Sequence, residues 1–86
     1  MNEDPARQLG EALREAREQR RFGVRELARR IGVSPGRIAL WEQGKRVPSP
    51  IQVGLILGAL GIVGTEQKRI LELALFLRLY RAGERA

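Results

Sequence analysis

Eighty-six residues leave room for one small domain and not for a second, and a chain this short needs efficient packing, a staple or a partner subunit. It has neither cysteine nor histidine, which excludes disulfides and removes the usual ligands of a structural zinc; no metal or other cofactor is expected. A net charge of +6 points to a polyanion, nucleic acid first, although solvated arginine–glutamate pairs four residues apart, around Glu11, Arg14, Glu15 and Arg17, would account for part of it.

Hydrophobic spacing predicts five helices and no strand. The first runs from Pro5 to Arg20, with Leu9, Leu13, Ala16 and Arg20 at helical spacing and charges on the other faces. The second, Gly23 to Ile31, repeats the pattern with Val24, Leu27, Ala28 and Ile31, and Gly32 suits a left-handed stop. Ser34 is a good N-cap and Pro35 a favoured first residue, so a third helix is expected from there to Gln43, ending at Gly44. After the loop KRVPSP, Ser49 and Pro50 repeat the same start for a fourth helix that ends near Gly61. A fifth opens at Thr65 and Glu66 and runs to about Arg81, and the tail AGERA is expected to fray.

The basic residues are unevenly placed. Residues 7–46 hold eleven Arg/Lys against five Glu, whereas residues 47–86 contribute only +2, and Glu3 and Asp4 subtract two. Arginine outnumbers lysine 14 to 2, which suits phosphate contacts. The opening MNEDPA is acidic and polar where a signal peptide would be basic and then apolar. The most apolar stretch, Ile51 to Val63, is 13 residues and too short to span a bilayer. A cytoplasmic, nucleoid-associated protein with no membrane contact is the expectation.

The segment between Val24 and Gln43 is the most informative. Leu27, Ala28 and Ile31 face inward from one helix, Gly32 makes the turn, Val33 plugs beneath it, and Ile38 and Trp41 face inward from the next. Ala28 must be small if two steeply crossed helices nearly touch there, and Gly32 must tolerate the backbone of the turn. With LREAREQRRFGVRELARRIGVS, WEQGKR and PSP…ALGI around it, this constellation resembles the helix-turn-helix domain of the phage-repressor and Cro-like (XRE) family. The resemblance covers roughly Leu9 to Ile62.

That resemblance implies an all-α, lambda-repressor-like bundle of five helices, with the family-like core over residues 7–62; for the C-terminal helix at 65–81, its apolar faces suggest dimerisation. The resemblance also implies a bacterial or phage transcriptional regulator, a repressor, that binds double-stranded operator DNA as a homodimer. The helix at residues 34–43 would enter the major groove. Ser34, Gly36, Arg37, Leu40 and Gln43 fall at positions that meet bases, and Val24, Arg25, Pro35, Lys45 and Arg46 at positions that meet phosphates. Arg17 and Glu42 match a pair that forms an internal salt bridge in the family. Arg29 and Arg30 read equally as DNA-facing or as ordinary surface residues.

The departures from the family pattern bear on function. Gly23 and Val24 open the second helix where Ser and Gln are usual, which costs a side-chain cap and puts a glutamine–phosphate contact in doubt. Pro35, Gly36 and Leu40 stand where polar base readers are usual. Ser34, Arg37 and Gln43 remain to hydrogen-bond; Arg37 could clamp a guanine, and Ala39 and Leu40 could touch only thymine methyls or sugars. Direct reading is expected to be thin, with phosphate contacts and DNA shape supplying more of the specificity. The alternative is a protein-interaction module on the same fold, antitoxin-like or an anti-repressor partner, with little base readout.

On the fifth helix, Ile70, Leu73, Ala74 and Leu77 make one apolar face and Leu71, Leu75 and Leu79 another, with Phe76 beside them. Ile51 and Leu55 on the fourth helix also stand where polar residues are usual. Either the local core is fuller or these six residues, Ile51, Leu55, Leu71, Leu75, Phe76 and Leu79, form a dimer interface. Gly54, Gly58 and Gly61 read as a flat spot beneath a neighbouring helix in preference to a close helix–helix contact of the membrane type. Catalysis is not expected: the carboxylates are interleaved with arginines and no glycine-rich phosphate loop is present. Nor is a small-molecule ligand.

Overall fold

The computed structural model describes the backbone of residues 4–85 and the side chains of residues 4–80. Five helices follow one another: α1 (Pro5–Gln19), α2 (Val24–Ile31), α3 (Pro35–Glu42), α4 (Pro50–Leu60) and α5 (Gly64–Arg85). Among the described residues there is no strand.

Local chemistry accounts for most of the boundaries. Asp4, Ser34 and Ser49 cap α1, α3 and α4 with their side chains, and a proline follows each of them. The cap accepts a first-turn amide that would otherwise lack a partner, and proline there loses no hydrogen bond. At α4 the exchange is reciprocal: Ser49 Oγ accepts from the Gln52 amide at 3.1 Å and Gln52 Oε1 from the Ser49 amide at 2.8 Å. Gly23 caps α2 without any side-chain hydrogen bond. The fifth helix continues to Arg85, past the end expected near Arg81. No proline stops it, and Gly83 costs only about 1 kcal/mol relative to alanine. Side chains of the AGERA tail lie outside the described residues.

The core is a single cluster drawn from every helix. It includes Leu9 and Leu13 of α1, Leu27 and Ala28 of α2, Ile38 and Trp41 of α3, Val53, Ile56 and Leu57 of α4, and Ile70, Ala74 and Leu77 of α5. Each helix contributes one stripe at three- and four-residue spacing, as an amphipathic helix should. Two helices break the pattern because they are apolar on the outside too. Ile51 and Leu55 of α4 are exposed, Ile51 at 75%, and so are Leu75, Phe76 and Leu79 of α5, Leu79 at 73%. Phe76 and Tyr80 stack with ring centroids 6.0 Å apart.

Two expectations for these faces need correcting. Leu71 is half-buried against the core and does not join the exposed Leu75 and Leu79, because it stands closer to the Ile70–Ala74–Leu77 seam than Leu75 does. Gly54 and Gly58 do not lie beneath a neighbouring helix. Both are exposed, a Cβ at either would meet nothing within 4 Å, and they line an open groove with Arg30, Ile31, Leu55 and Ala59.

Candidate nucleic-acid interface

The turn between α2 and α3 forms from its own sequence. Gly32 adopts φ 76°, a left-handed conformation that costs glycine least. From there the amides of Gly32 and Val33 both return to the Ala28 carbonyl, at 2.9 and 3.0 Å, a pairing that ends α2 and turns the chain in one step. Val33 and Ile31 are half-buried beneath the turn, and Leu27, Ala28 and Ile38 are buried where α2 and α3 meet.

Three contacts hold the C-terminal end of α3 against α1. Arg17 Nε and Nη2 donate to the two carboxylate oxygens of Glu42 at 2.7 and 2.9 Å, and Nη1 donates to the Phe22 carbonyl at 2.8 Å. Both side chains of this pair are nearly enclosed, 10% and 9% exposed, and the bidentate fork satisfies them. Donation to the Glu42 carboxylate raises the Arg17 pKa above its already high ordinary value, so the guanidinium stays charged wherever the protein is folded. The second contact is Gly10, where any Cβ would collide with the Trp41 carbonyl oxygen and come within 2.7 Å of that of Glu42. The third is Gly44, with φ 74° and a Cβ position 2.8 Å from Arg7 Cα. Neither glycine was singled out for this role from the sequence. A glycine inside the otherwise amphipathic α1 was the available signal, since it weakens the helix unless something must come close.

With its C-terminal end fixed, α3 presents its N-terminal half to solvent. Ser34, Pro35, Gly36, Arg37, Leu40 and Gln43 are all exposed, Leu40 least at 36%, and Ala39 is half-buried. Ser34 Oγ accepts the Arg37 amide at 3.2 Å, which leaves its own hydroxyl proton free to donate. Pro35 has no amide hydrogen, so it offers a phosphate no donor; the amide of Gly36 is the one remaining in this first turn. Lys45 and Arg46 are exposed directly after α3, where their amides close on the Leu40 carbonyl at 3.0 and 3.3 Å.

Ion pairing divides the basic residues into two groups. Arg7, Arg14, Arg17, Arg20, Arg30 and Lys68 each have a carboxylate partner. Arg30, besides its 3.9 Å contact with Glu26, places its guanidinium 5.0 Å from the Phe22 ring centroid, so it is engaged on its own surface. Arg21, Arg25, Arg29, Arg37, Lys45, Arg46, Arg69 and Arg78 have no ion pair among the described residues, and five of these, Arg25, Arg29, Arg37, Lys45 and Arg46, lie on α2, on α3 or directly after α3. Val24, also placed at the start of α2, is half-buried and has only its backbone to offer.

A packed α2–α3 pair, a left-handed glycine between them and an exposed second helix define the helix-turn-helix class of DNA-binding domains. A family model described as a helix-turn-helix domain matches residues 8–70, and the chain belongs to this family, which is part of the XRE-like group. No curated protein matches the chain closely enough to count as a relative. No helix among the described residues is long and apolar enough to cross a membrane.

Proposed function

We propose that this chain is a sequence-specific DNA-binding transcriptional regulator of bacterial or phage type, a repressor that occludes polymerase by occupying an operator as a homodimer. The observation that carries the reading is that the exposed helix α3 and the segments on either side of it carry cations with no ion pair among the described residues, Arg25 and Arg29 on α2, Arg37 on α3, and Lys45 and Arg46 directly after it. Charges without protein partners on a helix-turn-helix face are suited to a phosphate backbone, where displaced counterions supply the affinity.

In this reading the N-terminal half of α3 enters the major groove. Gly36 has no side chain to hold the backbone off the DNA, and its amide and the Ser34 hydroxyl donate to a phosphate or a base edge. Arg37 forks onto guanine O6 and N7, Gln43 offers an amide at the far end, and Leu40 packs on a thymine methyl. Val24, Arg25, Lys45 and Arg46 follow the sugar-phosphate strands on either side, with Pro35 contributing contact but no hydrogen bond. Few base edges are read directly, so groove width and deformability supply the rest.

The homodimer is supported by the outward apolar residues Ile51, Leu55, Leu75, Phe76 and Leu79, with Leu71 at the inner margin. Two subunits related by a twofold axis would cover these faces and set two half-sites about one helical turn apart. Fluorescence anisotropy with duplex DNA from the gene's own upstream region, across a salt series, tests the reading: affinity should fall steeply with salt, and no binding at the lowest salt would end it.

One observation favours a second reading. Leu40 is 36% exposed in the middle of the reading face, and beside Gly36 and Ala39 it would suit a protein partner. Stoichiometric capture of one protein, with DNA affinity unaffected by Arg37→Ala, would establish that reading in place of the first.

A further inference from the structure

Beyond the reading helix, an open cleft of about 810 Å³ runs between the loop after α3, the start of α4 and the outer half of α5. Its rim carries Lys45, Arg46 and Arg78, and no acidic residue lines it. Arg78 resembles the other two in having no ion pair among the described residues. It is far from them in sequence, and the packing of α5 on α4 is what brings it there.

We propose that Arg78 is a further phosphate-contacting residue, gripping the DNA backbone together with Lys45 and Arg46 across this cleft. The inference rests on the DNA-binding reading and extends it to a helix otherwise devoted to core and dimer packing. Three like charges facing one concavity repel one another and lower the stability of the protein alone, whereas a polyanion strand between them reverses the sign of the interaction. The mouth of α4 adds to this. Pro50 has no amide hydrogen and Ser49 Oγ already caps Gln52, so the Ile51 amide is left at the positive end of an 11-residue helix that opens on the same cleft. DNA is favoured over a free anion because Lys45 and Arg46 follow directly on α3. A strand leaving the reading helix passes these two before it reaches Arg78.

Equilibrium binding of the full chain to its preferred duplex and to a scrambled duplex, across a salt series, tests the proposal in Arg78→Ala, Lys45→Ala and Arg69→Ala. Arg69 is exposed on the same helix and does not line the cleft. Each lost phosphate contact should reduce the salt slope by about 0.9, equivalent to roughly a 3.5-fold smaller loss of affinity for a fourfold rise in salt. Arg78→Ala and Lys45→Ala should both show that reduction, equally on the two duplexes, with Arg69→Ala unchanged. If Arg78→Ala matches Arg69→Ala while Lys45→Ala loses slope, the proposal fails and the DNA reading stands. If sedimentation shows that Arg78→Ala changes the mass and leaves the slope alone, Arg78 acts in assembly and the proposal also fails. Absence of binding by the unmodified chain at the lowest salt would overturn both.

Discussion

Gly10 of α1 lies so close to the carbonyl of Trp41 that no other residue fits between the two helices. This contact, with the Arg17–Glu42 fork seven residues further along α1, fixes the C-terminal end of α3. The N-terminal half, which the proposed function places in the groove, projects from a clamped base, so its orientation is set by protein packing alone. Preorganisation of this kind lowers the ordering cost of binding.

Replacing Gly10 by alanine should therefore destabilise the fold although alanine is the better helix former. Overpacking costs about 1–3 kcal/mol and outweighs a propensity gain of roughly 1 kcal/mol. Gly58→Ala should do the opposite, since a Cβ there meets nothing within 4 Å, and should raise stability by about 0.5–1 kcal/mol. Thermal unfolding separates them, with a shift of about 4–8 °C for each kcal/mol in a domain of this size. The same sign for both variants would contradict the packing described.

Glu42→Ala strands the Arg17 guanidinium in a site where its side chain is only 10% exposed. Loss of one partner from a buried pair costs about 3–5 kcal/mol, whereas exchanging both for apolar residues of similar volume is often neutral. Denaturant unfolding should show a large loss in Glu42→Ala and much of it recovered in the double variant Arg17→Met, Glu42→Leu. A single-variant loss below about 1 kcal/mol would place this pair with ordinary surface ion pairs.

The apolar outer faces make a prediction about mass. Leu75→Glu with Leu79→Glu should yield a folded monomer by sedimentation, because both leucines are exposed within one subunit. Leu71→Glu should lower stability as well, since Leu71 is half-buried against the core. An unchanged mass in the double variant would remove these leucines from the proposed dimer interface.

Arg37→Ala and Lys45→Ala should fail differently. A bidentate arginine–guanine contact is worth about 1–3 kcal/mol of discrimination, so Arg37→Ala should bind preferred and scrambled duplexes with similar affinity. Lys45→Ala should weaken both alike and flatten the salt dependence. Competition titrations report the two quantities separately, and equal losses of preference in both variants would contradict the division of roles.

The parts of this structure that depend on a few consecutive residues were legible in the sequence. Ser34–Pro35 and Ser49–Pro50 start helices, Gly32 turns the chain, and the Val24–Gln43 spacing identifies the family because each position carries a short-range steric demand. Gly10 and Gly44 were not legible in the same way, since what they accommodate is the backbone of a segment more than thirty residues away in sequence. The difference between Leu71 and Leu75 depends on how far α5 is rotated about its axis, and leucines at both positions satisfy the same pattern. Gly54 and Gly58 were assigned to a packed face because glycines in an apolar helix usually have one, and only the positions of the other helices show that nothing covers them. Arg78 reaches the Lys45–Arg46 cleft through tertiary packing, which no local motif records.

The central claim is that α3 reads DNA with few direct base contacts while unpaired cations hold the backbone. Selection of bound duplexes from a random pool tests it most directly. The account predicts enrichment of a twofold-symmetric site with half-sites spaced by about one helical turn, a few sharply specified base pairs where Arg37 and Gln43 reach, and weaker preferences between them. A pool that remains random after selection, from a protein that binds no duplex even at low salt, would contradict it.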